Sequence, residues 1–222
     1  MKKLYPEQQQ ARELANKWLN KKIGSAFISP CGTGKTFTSS MVIEDRIKLG
    51  QTVFVLVPQL EIHDSWMEEL SGMGLNPGYI NDEGMRGKSR KVYICMFQSL
   101  INILPLISEK DYPDVIIIDE MQHLLSPTIK AILDFFPKAT ALGLTATLYH
   151  ISGQTFRPYI EETFQTITKK MAIEKGYITE PILIEPEDYL KDFLTSVGLD
   201  INTMSFSQKK KLQALLNEFY MK

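Results

Sequence analysis

Residues 25–36 read SAFISPCGTGKT, in which a short apolar run leads into a glycine-containing loop and then into a helical pattern. A loop that holds phosphate needs glycines for close backbone approach, a lysine for the outer phosphates and a hydroxyl for Mg²⁺. It must also open a helix, because the free N–H groups and the dipole of a helix N-terminus favour an anion. Gly32 and Gly34 supply the turns, Lys35 the charge and Thr36 the hydroxyl. An ordinary strand-to-helix turn is the alternative, but the strand before, the helix after and the GKT triplet favour a phosphate loop.

The whole loop defines the predicted nucleotide-binding residues. Its first position is commonly Gly or Ala, and here it is Ser29, which is still small enough for a strand end. The predicted set is Ser29, Pro30, Cys31, Gly32, Thr33, Gly34, Lys35 and Thr36. We interpret Cys31 as incidental, because a thiol without a partner histidine is a poor nucleophile. Trp18 and Trp66 lie at helical core positions, and we interpret both as packing residues.

Outward from this loop, apolar runs of strand length alternate with helical patterns. The runs at 52–57, 91–97, 114–118 and 140–147 read TVFVLV, KVYICMF, DVIII and TALGLTAT. Continuous apolar runs are typical of parallel strands that are covered on both faces. The alternation predicts an α/β fold with a mostly parallel sheet and helices on both faces. Ligands of such sheets bind at the carboxyl ends of the strands, where the phosphate loop and the other polar motifs fall.

The segment VIIIDEMQH, residues 115–123, delivers two carboxylates from a buried strand. Asp119, together with Thr36, is expected to hold Mg²⁺, and Glu120 to orient and deprotonate the attacking water. A solvated acidic turn is the alternative interpretation. The phosphate loop upstream favours the catalytic one.

Composition and charge restrict the class of protein. The net charge is -1 and the pI about 6.3, which argues against a broad basic surface for nucleic acid but leaves room for a local basic groove. The 2 cysteines and 3 histidines are scattered, so neither a disulfide framework nor a zinc site is expected. No run reaches the ~18 apolar residues of a membrane span, and the N-terminus has no secretion signal. We therefore expect a soluble, cytoplasmic protein.

Further segments in the same order carry a resemblance to a known family. They are YPEQ at 5–8, VPQLEIHDSW at 57–66, MFQSL at 96–100, GLTATL at 143–148 and AIEKGYI at 172–178. These segments are similar to the RPYQ, VPTKELVEQW, TYQSL, GLTATP and AIEEGYL motifs of superfamily 2 (DEAD/DEAH-like) helicases and translocases. The chain resembles the N-terminal RecA-like domain of that superfamily, with UvsW-type phage helicases and restriction-enzyme motors as the nearest types. A bacterial cell or a phage-infected host is the source that this resemblance suggests.

The resemblance implies a RecA-like three-layer sandwich that binds ATP with Mg²⁺. Gln8 corresponds to the glutamine that recognises adenine in the family. Gln122 stands at the fourth position of DEMQH, where the family often has histidine, and joins Glu120 as a catalytic residue. Either Gln122 or His123 links the nucleotide site to Thr145 and Thr147. Its position in the motif favours Gln122 for this link. Whether His123 is instead a buried structural residue stays open.

Nucleic-acid contacts are also implied by the resemblance. The corresponding residues are Pro58, Gln59, Phe97, Gln98 and Ser99. Gln59 and Met96 replace hydroxyl residues of the family, so some hydroxyl contacts to the backbone are expected to be lost or replaced. Such motors contact phosphates through N–H groups and short polar side chains, which is compatible with a net charge near zero. DNA is the favoured partner, with RNA as the alternative.

The family hydrolyses ATP between two RecA-like domains, the second of which supplies an arginine in a QxxGRxxR segment. None of the five arginines of this chain, Arg12, Arg46, Arg86, Arg90 and Arg157, lies in such a segment. We predict an ATP-binding RecA-like domain over 1–186 and a helical connector over 187–222 toward a second domain in cis or in trans. The predicted function is the ATP-binding half of a helicase or translocase, nearly inactive and unable to unwind alone. The alternative is a stand-alone nucleotide-dependent module that binds nucleic acid or protein.

Overall fold

The elements of the fold follow the apolar runs and helical patterns of the sequence. A computed structural model of the protein describes residues 3–87, 90–146 and 158–180, the side chains of His123 and Leu125 excepted. The strands are β1 Ser25–Ile28, β2 Val53–Val57, β3 Gly78–Asn81, β4 Gly84–Arg86, β5 Val92–Met96, β6 Val115–Ile118, β7 Thr140–Thr145 and β8 Glu162–Gln165. The α-helices are α1 Pro6–Asn20, α2 Lys35–Lys48, α3 Leu60–Gly72, α4 Phe97–Ile103, α5 Pro127–Phe135 and α6 Lys169–Glu174. Short 3-10 turns lie at Leu104–Leu106, Glu109–Asp111 and Met121–Leu125.

The strands of the described residues form one sheet in the order β4-β3-β5-β2-β6-β7-β1-β8. Neighbouring strands are parallel except β3 and β4, which form an antiparallel hairpin. The predicted mostly parallel sheet is therefore confirmed. The carboxyl ends of β1, β2, β5, β6 and β7 meet at one edge, where a sheet of this type holds its ligands.

The central strands bury both of their faces. Successive side chains of a strand point to opposite sides of the sheet. On one side Val53, Val55 and Val57 pack with α1, α2 and α3. On the other side Phe54 and Leu56 pack with α4 and α5. The predicted three-layer α/β sandwich results, with helices over both faces.

The apolar pattern does not predict β3, β4 and β8. β4 and β8 form the two edges of the sheet. Edge strands are short and polar, since one side is left to solvent. β8 reads ETFQ, and only Phe164 of it is buried. The hairpin strands read GYIN and GMR, and their glycines and polar residues indicate a loop when only the sequence is considered.

The described residues end shortly after α6. α6 is followed by a turn at Gly176, whose φ is 69°. The first compact unit of the chain ends at Thr179. The predicted boundary at 186 and the predicted connector over 187–222 lie outside the described residues and stay predictions. No helix in the described ranges is both long and apolar enough to cross a membrane.

Candidate nucleotide site

The loop between β1 and α2 needs glycine at two positions. Gly32 and Gly34 have φ of 79° and 80°, in the left-handed region that side chains disfavour. A Cβ atom on Gly34 would also lie 2.6 Å from Nε2 of Gln8, so a larger residue would displace the Gln8 side chain. α2 begins at Lys35, directly after the loop. Its unpaired N–H groups therefore lie at the loop, as anion binding requires.

Hydrogen bonds inside the loop stabilise its curvature. The hydroxyls of Ser29 and Thr33 lie 2.6 Å apart, and the Thr33 hydroxyl donates to the carbonyl of Pro30 at 2.6 Å. The Lys35 ammonium donates to the carbonyl of Ser29 at 2.9 Å. An ammonium has three N–H donors, so Lys35 can keep this bond and still contact phosphate oxygens.

The acidic pair follows directly after β6. Asp119 is largely buried, and its Oδ1 accepts the backbone N–H of Glu120 at 2.9 Å. Its Oδ2 accepts the indole N–H of Trp66 at 2.8 Å. Burial raises the pKa of Asp119 above its ordinary value, and the bonds from Trp66 and Glu120 oppose that rise. Glu120 has a positive φ of 53°, a conformation that tends to persist at functional sites.

One open cavity of about 570 Å³ joins the two motifs. Gly32, Gly34, Lys35 and Thr36 line one part of it, and Asp119 and Glu120 line another. Residues of α3, including Glu61 and Trp66, complete the lining. The structure thus brings the predicted phosphate loop, a hydroxyl and two carboxylates to one space, a combination that suits a phosphate chain and a hard cation.

Gln122 lies between Glu120 and β7. Its Nε2 donates to Oε2 of Glu120 at 2.7 Å, and its Oε1 accepts the hydroxyl of Thr145 at the longer distance of 3.4 Å. The structure therefore brings together three of the predicted catalytic and coupling residues. The side chain of His123 and all of Thr147 lie outside the described part of the chain, so their predicted roles stay predictions.

A second cavity, of about 420 Å³, lies on the other side of the phosphate loop. Gln8 lines it and is fixed there, because its Nε2 donates to the Thr33 carbonyl and its Oε1 accepts the Tyr5 N–H, both at 2.9 Å. Tyr5 also lines this cavity and stacks on Tyr177, with ring centroids 4.2 Å apart. The predicted adenine-recognising residue therefore lies beside the phosphate loop, together with two aromatic rings that sequence reasoning did not assign.

Glu7 connects this cavity to the end of the first unit. It accepts hydrogen bonds from Lys175 and from the hydroxyl of Tyr177. The bond from Lys175 holds the pKa of Glu7 below its ordinary value. These contacts join residues about 170 positions apart in the chain. Only the presence of YPEQ and AIEKGYI in one family resemblance hinted at them.

The predicted nucleic-acid residues lie at two neighbouring positions on the carboxyl edge of the sheet: Pro58 and Gln59 follow β2, and Phe97, Gln98 and Ser99 form the first turn of α4. The Gln98 side chain donates to the carbonyl of Pro58 at 3.2 Å, which brings the end of β2 and the start of α4 together. Gln59 and Gln98 are exposed, whereas Phe97 is half-buried. Ser99 is buried. The two exposed glutamines are therefore the side chains of this group that can reach a ligand from solvent.

The sequence pattern predicts the burial of Trp66 but not its hydrogen bond. Its position on the core face of α3 is confirmed, since it is fully buried. Its indole N–H, however, donates to Asp119, which lies 53 positions away. Helical spacing identifies a core position but not the atom that lies opposite it.

Residues 1–150 match the family described as "Type III restriction enzyme, res subunit". The chain belongs to this family. The res-subunit match covers the phosphate loop and the acidic pair, which line the first cavity, and Gln122, which is hydrogen-bonded to Glu120. It supports the ATP-dependent helicase and translocase class of enzyme that the motifs predict.

Curated relatives agree with the res-subunit assignment. The chain is 26% identical over 226 residues to the DNA 3'-5' translocase XPB2 of Sulfurisphaera tokodaii, covering 91% of this chain and 48% of that protein. It is 26% identical over 170 residues to the type I restriction enzyme EcoAI endonuclease subunit of Escherichia coli, covering 66% of this chain and 19% of that protein. The chain thus spans half or less of the length of each relative. A stand-alone binding module, the alternative function, is not favoured by these relatives.

Solved structures confirm the predicted RecA-like fold. The UvsW helicase of bacteriophage T4 matches 72% of this chain and 59% of its own, with a TM-score of 0.56 and 12% identity. The type ISP restriction-modification enzyme LlaGI matches 88% of this chain and 23% of its own, with a TM-score of 0.62 and 18% identity. The SWI2/SNF2 ATPase core of Sulfolobus solfataricus matches 98% of this chain and 44% of its own, with a TM-score of 0.56 and 18% identity.

Proposed function

We propose that the chain is the ATP- and Mg²⁺-binding half of a nucleic-acid translocase or helicase, with DNA as the favoured track. One observation carries the proposal: the phosphate loop and the buried Asp119–Glu120 pair line a single cavity. Membership of the res-subunit family supports it. XPB2 is named as a DNA translocase, and LlaGI and the SWI2/SNF2 core were solved with DNA or a DNA mimic. These relatives favour DNA over RNA for this chain.

The phosphate chain of ATP would be bound by backbone and side-chain donors of the loop. N–H groups from Gly32 to Thr36 and the ammonium of Lys35 offer positive charge to the phosphate oxygens. The internal bonds from Ser29 and Thr33 fix the loop before the nucleotide arrives. Because little order has to be created on binding, more of the interaction free energy is available for affinity.

The residues present fit Mg²⁺. Thr36 and Asp119 offer hard oxygen ligands at one cavity, and each Asp119 oxygen accepts a single described hydrogen bond, which leaves lone pairs free. Among the described residues no group of three or more His, Cys, Asp or Glu side chains could hold a metal ion. Mg²⁺ does not need one, because it usually keeps several waters and binds through one or two carboxylates plus phosphates. When bound, the ion would neutralise charge on the phosphates.

Hydrolysis would be assisted by Glu120, held from two sides. Its N–H is bound to Asp119, and its carboxylate is bound by Gln122. We propose that Glu120 orients the attacking water and accepts its proton. Gln122 would connect that carboxylate to Thr145 at the end of β7. Through these contacts, loss of the γ-phosphate would be transmitted to β7, the strand that leads toward residue 147.

Base selectivity tests the proposed nucleotide site. We expect isothermal titration to show tighter binding of ATP than of GTP, because Gln8 lies in a fixed orientation at the cavity beside the loop. In Gln8→Ala the ratio of the two affinities should fall about tenfold, the size of one or two lost hydrogen bonds. Gln9→Ala is the matched control, because Gln9 is exposed and its side chain bonds only to Glu13 of the same helix among the described contacts. Equal binding of ATP and GTP by the unmodified chain would refute base recognition by Gln8.

Nucleic-acid binding is expected to be weak and sensitive to salt. Half of a two-domain track should bind in the non-specific range, roughly 10⁻⁴ to 10⁻⁶ M at physiological salt. We expect Gln98→Ala to weaken nucleic-acid binding about fivefold. The substitution removes one contact to the nucleic acid and also the hydrogen bond from Gln98 to the Pro58 carbonyl. Fluorescence anisotropy with single- and double-stranded DNA and with RNA, at several salt concentrations, measures this. Exposed Gln10 on α1 provides the control substitution Gln10→Ala. Tight binding that ignores salt would contradict the prediction.

A further inference from the structure

The carboxylate of Asp119 is held by one donor on each oxygen. Oδ1 accepts the N–H of the next residue, Glu120, at 2.9 Å, and Oδ2 accepts the indole N–H of Trp66 at 2.8 Å. The first bond is local and moves with the backbone of the turn. The second comes from α3, a different element, and is therefore the contact that ties the carboxylate to the body of the domain.

Trp66 is itself rigidly held. It is fully buried against the strands, in the same apolar cluster as Val55, Ile94 and Ile117. Its N–H consequently points in a fixed direction, and a buried donor that lost its acceptor would be costly. The last torsion of an aspartate side chain is broad when nothing restrains it. A fixed donor on Oδ2 and a backbone donor on Oδ1 together define the plane of the carboxylate.

We propose that Trp66 is a positioning residue, whose indole N–H orients the Asp119 carboxylate so that its free lone pairs face the cation that accompanies the nucleotide. The inference rests on the proposed function, since it assigns Asp119 to Mg²⁺. Trp66 also lines the cavity that contains Lys35, Thr36 and Asp119. A positioned metal ligand lowers the cost of ordering when the ion binds. The indole thereby contributes to affinity for Mg²⁺-nucleotide without touching nucleotide or ion.

The chain contains a matched control for the indole N–H. Of its 2 tryptophans, Trp18 also lies on a helix that packs on the same face of the sheet. Its buried Nε1 has no hydrogen-bond partner among the described residues. Trp18→Phe therefore removes an aromatic bicycle and no described hydrogen bond, whereas Trp66→Phe removes a similar volume and the bond to Asp119.

The test is the effect of Mg²⁺ on nucleotide affinity. ATP binding to the 222-residue chain is measured by isothermal titration with Mg²⁺ and with EDTA. We expect the gain in affinity on adding Mg²⁺ to shrink about five- to tenfold in Trp66→Phe, the size expected for the loss of one hydrogen bond. In Trp18→Phe the gain should equal that of the unmodified chain, and the affinity in EDTA should be unchanged in both variants. The ratio of the ATP affinity with Mg²⁺ to the affinity with EDTA does not depend on the fraction of folded protein.

A second measurement keeps Trp66 intact. In the Trp18→Phe chain Trp66 is the sole tryptophan, so its fluorescence reports the environment of Asp119. Adding Mg²⁺ to the ADP-bound protein should change the emission, and Asp119→Asn should abolish that change. An emission that does not respond to Mg²⁺, or an undiminished Mg²⁺ gain in Trp66→Phe, would overturn the role of Trp66. If the unmodified chain bound no nucleotide at all, the proposed function would fail instead.

Discussion

Lys35→Ala is expected to weaken ATP binding by roughly 30- to 5,000-fold, equivalent to about 2–5 kcal/mol. Among the described residues, Lys35 is the one lysine that lines the phosphate-site cavity, and a polyphosphate leaves several negative charges to be balanced there. Its removal leaves the hydrogen bonds from Ser29 and Thr33 in place. The loop should therefore keep its shape, and the loss should come from the missing charge and not from unfolding.

Lys48→Ala is the matched control for this prediction. Lys48 ends the same helix that Lys35 begins, is well exposed and pairs with Glu44. The same change of charge at the other end of α2 should leave the affinity for ATP within about twofold, because exposed pairs contribute little. Calorimetric titration measures the ATP affinity of both variants, and circular dichroism compares their folding. ATP affinity in Lys35→Ala within threefold of the unmodified chain would remove the phosphate-loop assignment.

The central strands of the fold could be predicted because their signals lie within short stretches of neighbouring residues. β2 and β6 consist of β-branched and apolar residues that suit burial on both faces. The phosphate loop was predictable for the same reason: Gly32 and Gly34 occur where backbone with positive φ is needed. Such signals lie within a few neighbouring residues. They place the loop and the acidic pair at one edge before any distance is known.

The other features of the fold and the site depend on contacts between residues that are distant in the chain, and a local sequence pattern does not encode such contacts. Trp66 and Asp119 meet because α3 packs on β2 and β5, and β2 is the neighbour of β6, whereas nothing in the spacing of α3 specifies which atom its indole faces. Glu7 pairs with Lys175 across nearly the whole described chain. The edge strands β4 and β8 form because parallel or antiparallel neighbours offer them hydrogen bonds, not because their own residues favour strands.

Three of the four arginines in the described residues have side-chain partners away from the phosphate site. Arg12 forms two bonds to Asp45, and Arg46 is bound by asparagines of α1. Arg86 pairs with Glu83 at the sheet edge. No arginine of the described residues lines the cavity that contains Lys35 and Glu120. If the chain binds ATP as proposed, the phosphate loop and Asp119 would hold the ground state, and we expect a cation from outside the described residues to stabilise the transition state.

We accordingly expect residues 1–222 alone to hydrolyse ATP very slowly. A supplied arginine changes the rate of related phosphate-loop enzymes by roughly 10³- to 10⁵-fold, about 4–7 kcal/mol of barrier. Steady-state ATPase assays with and without DNA, over a range of protein concentrations, measure this, with Glu120→Gln as the control for contaminating activity. A rate that rises steeply with protein concentration would identify an arginine donated by a second copy. Turnover of about 1 per second or faster, independent of concentration and abolished by Glu120→Gln, would mean that these residues already contain a complete active site.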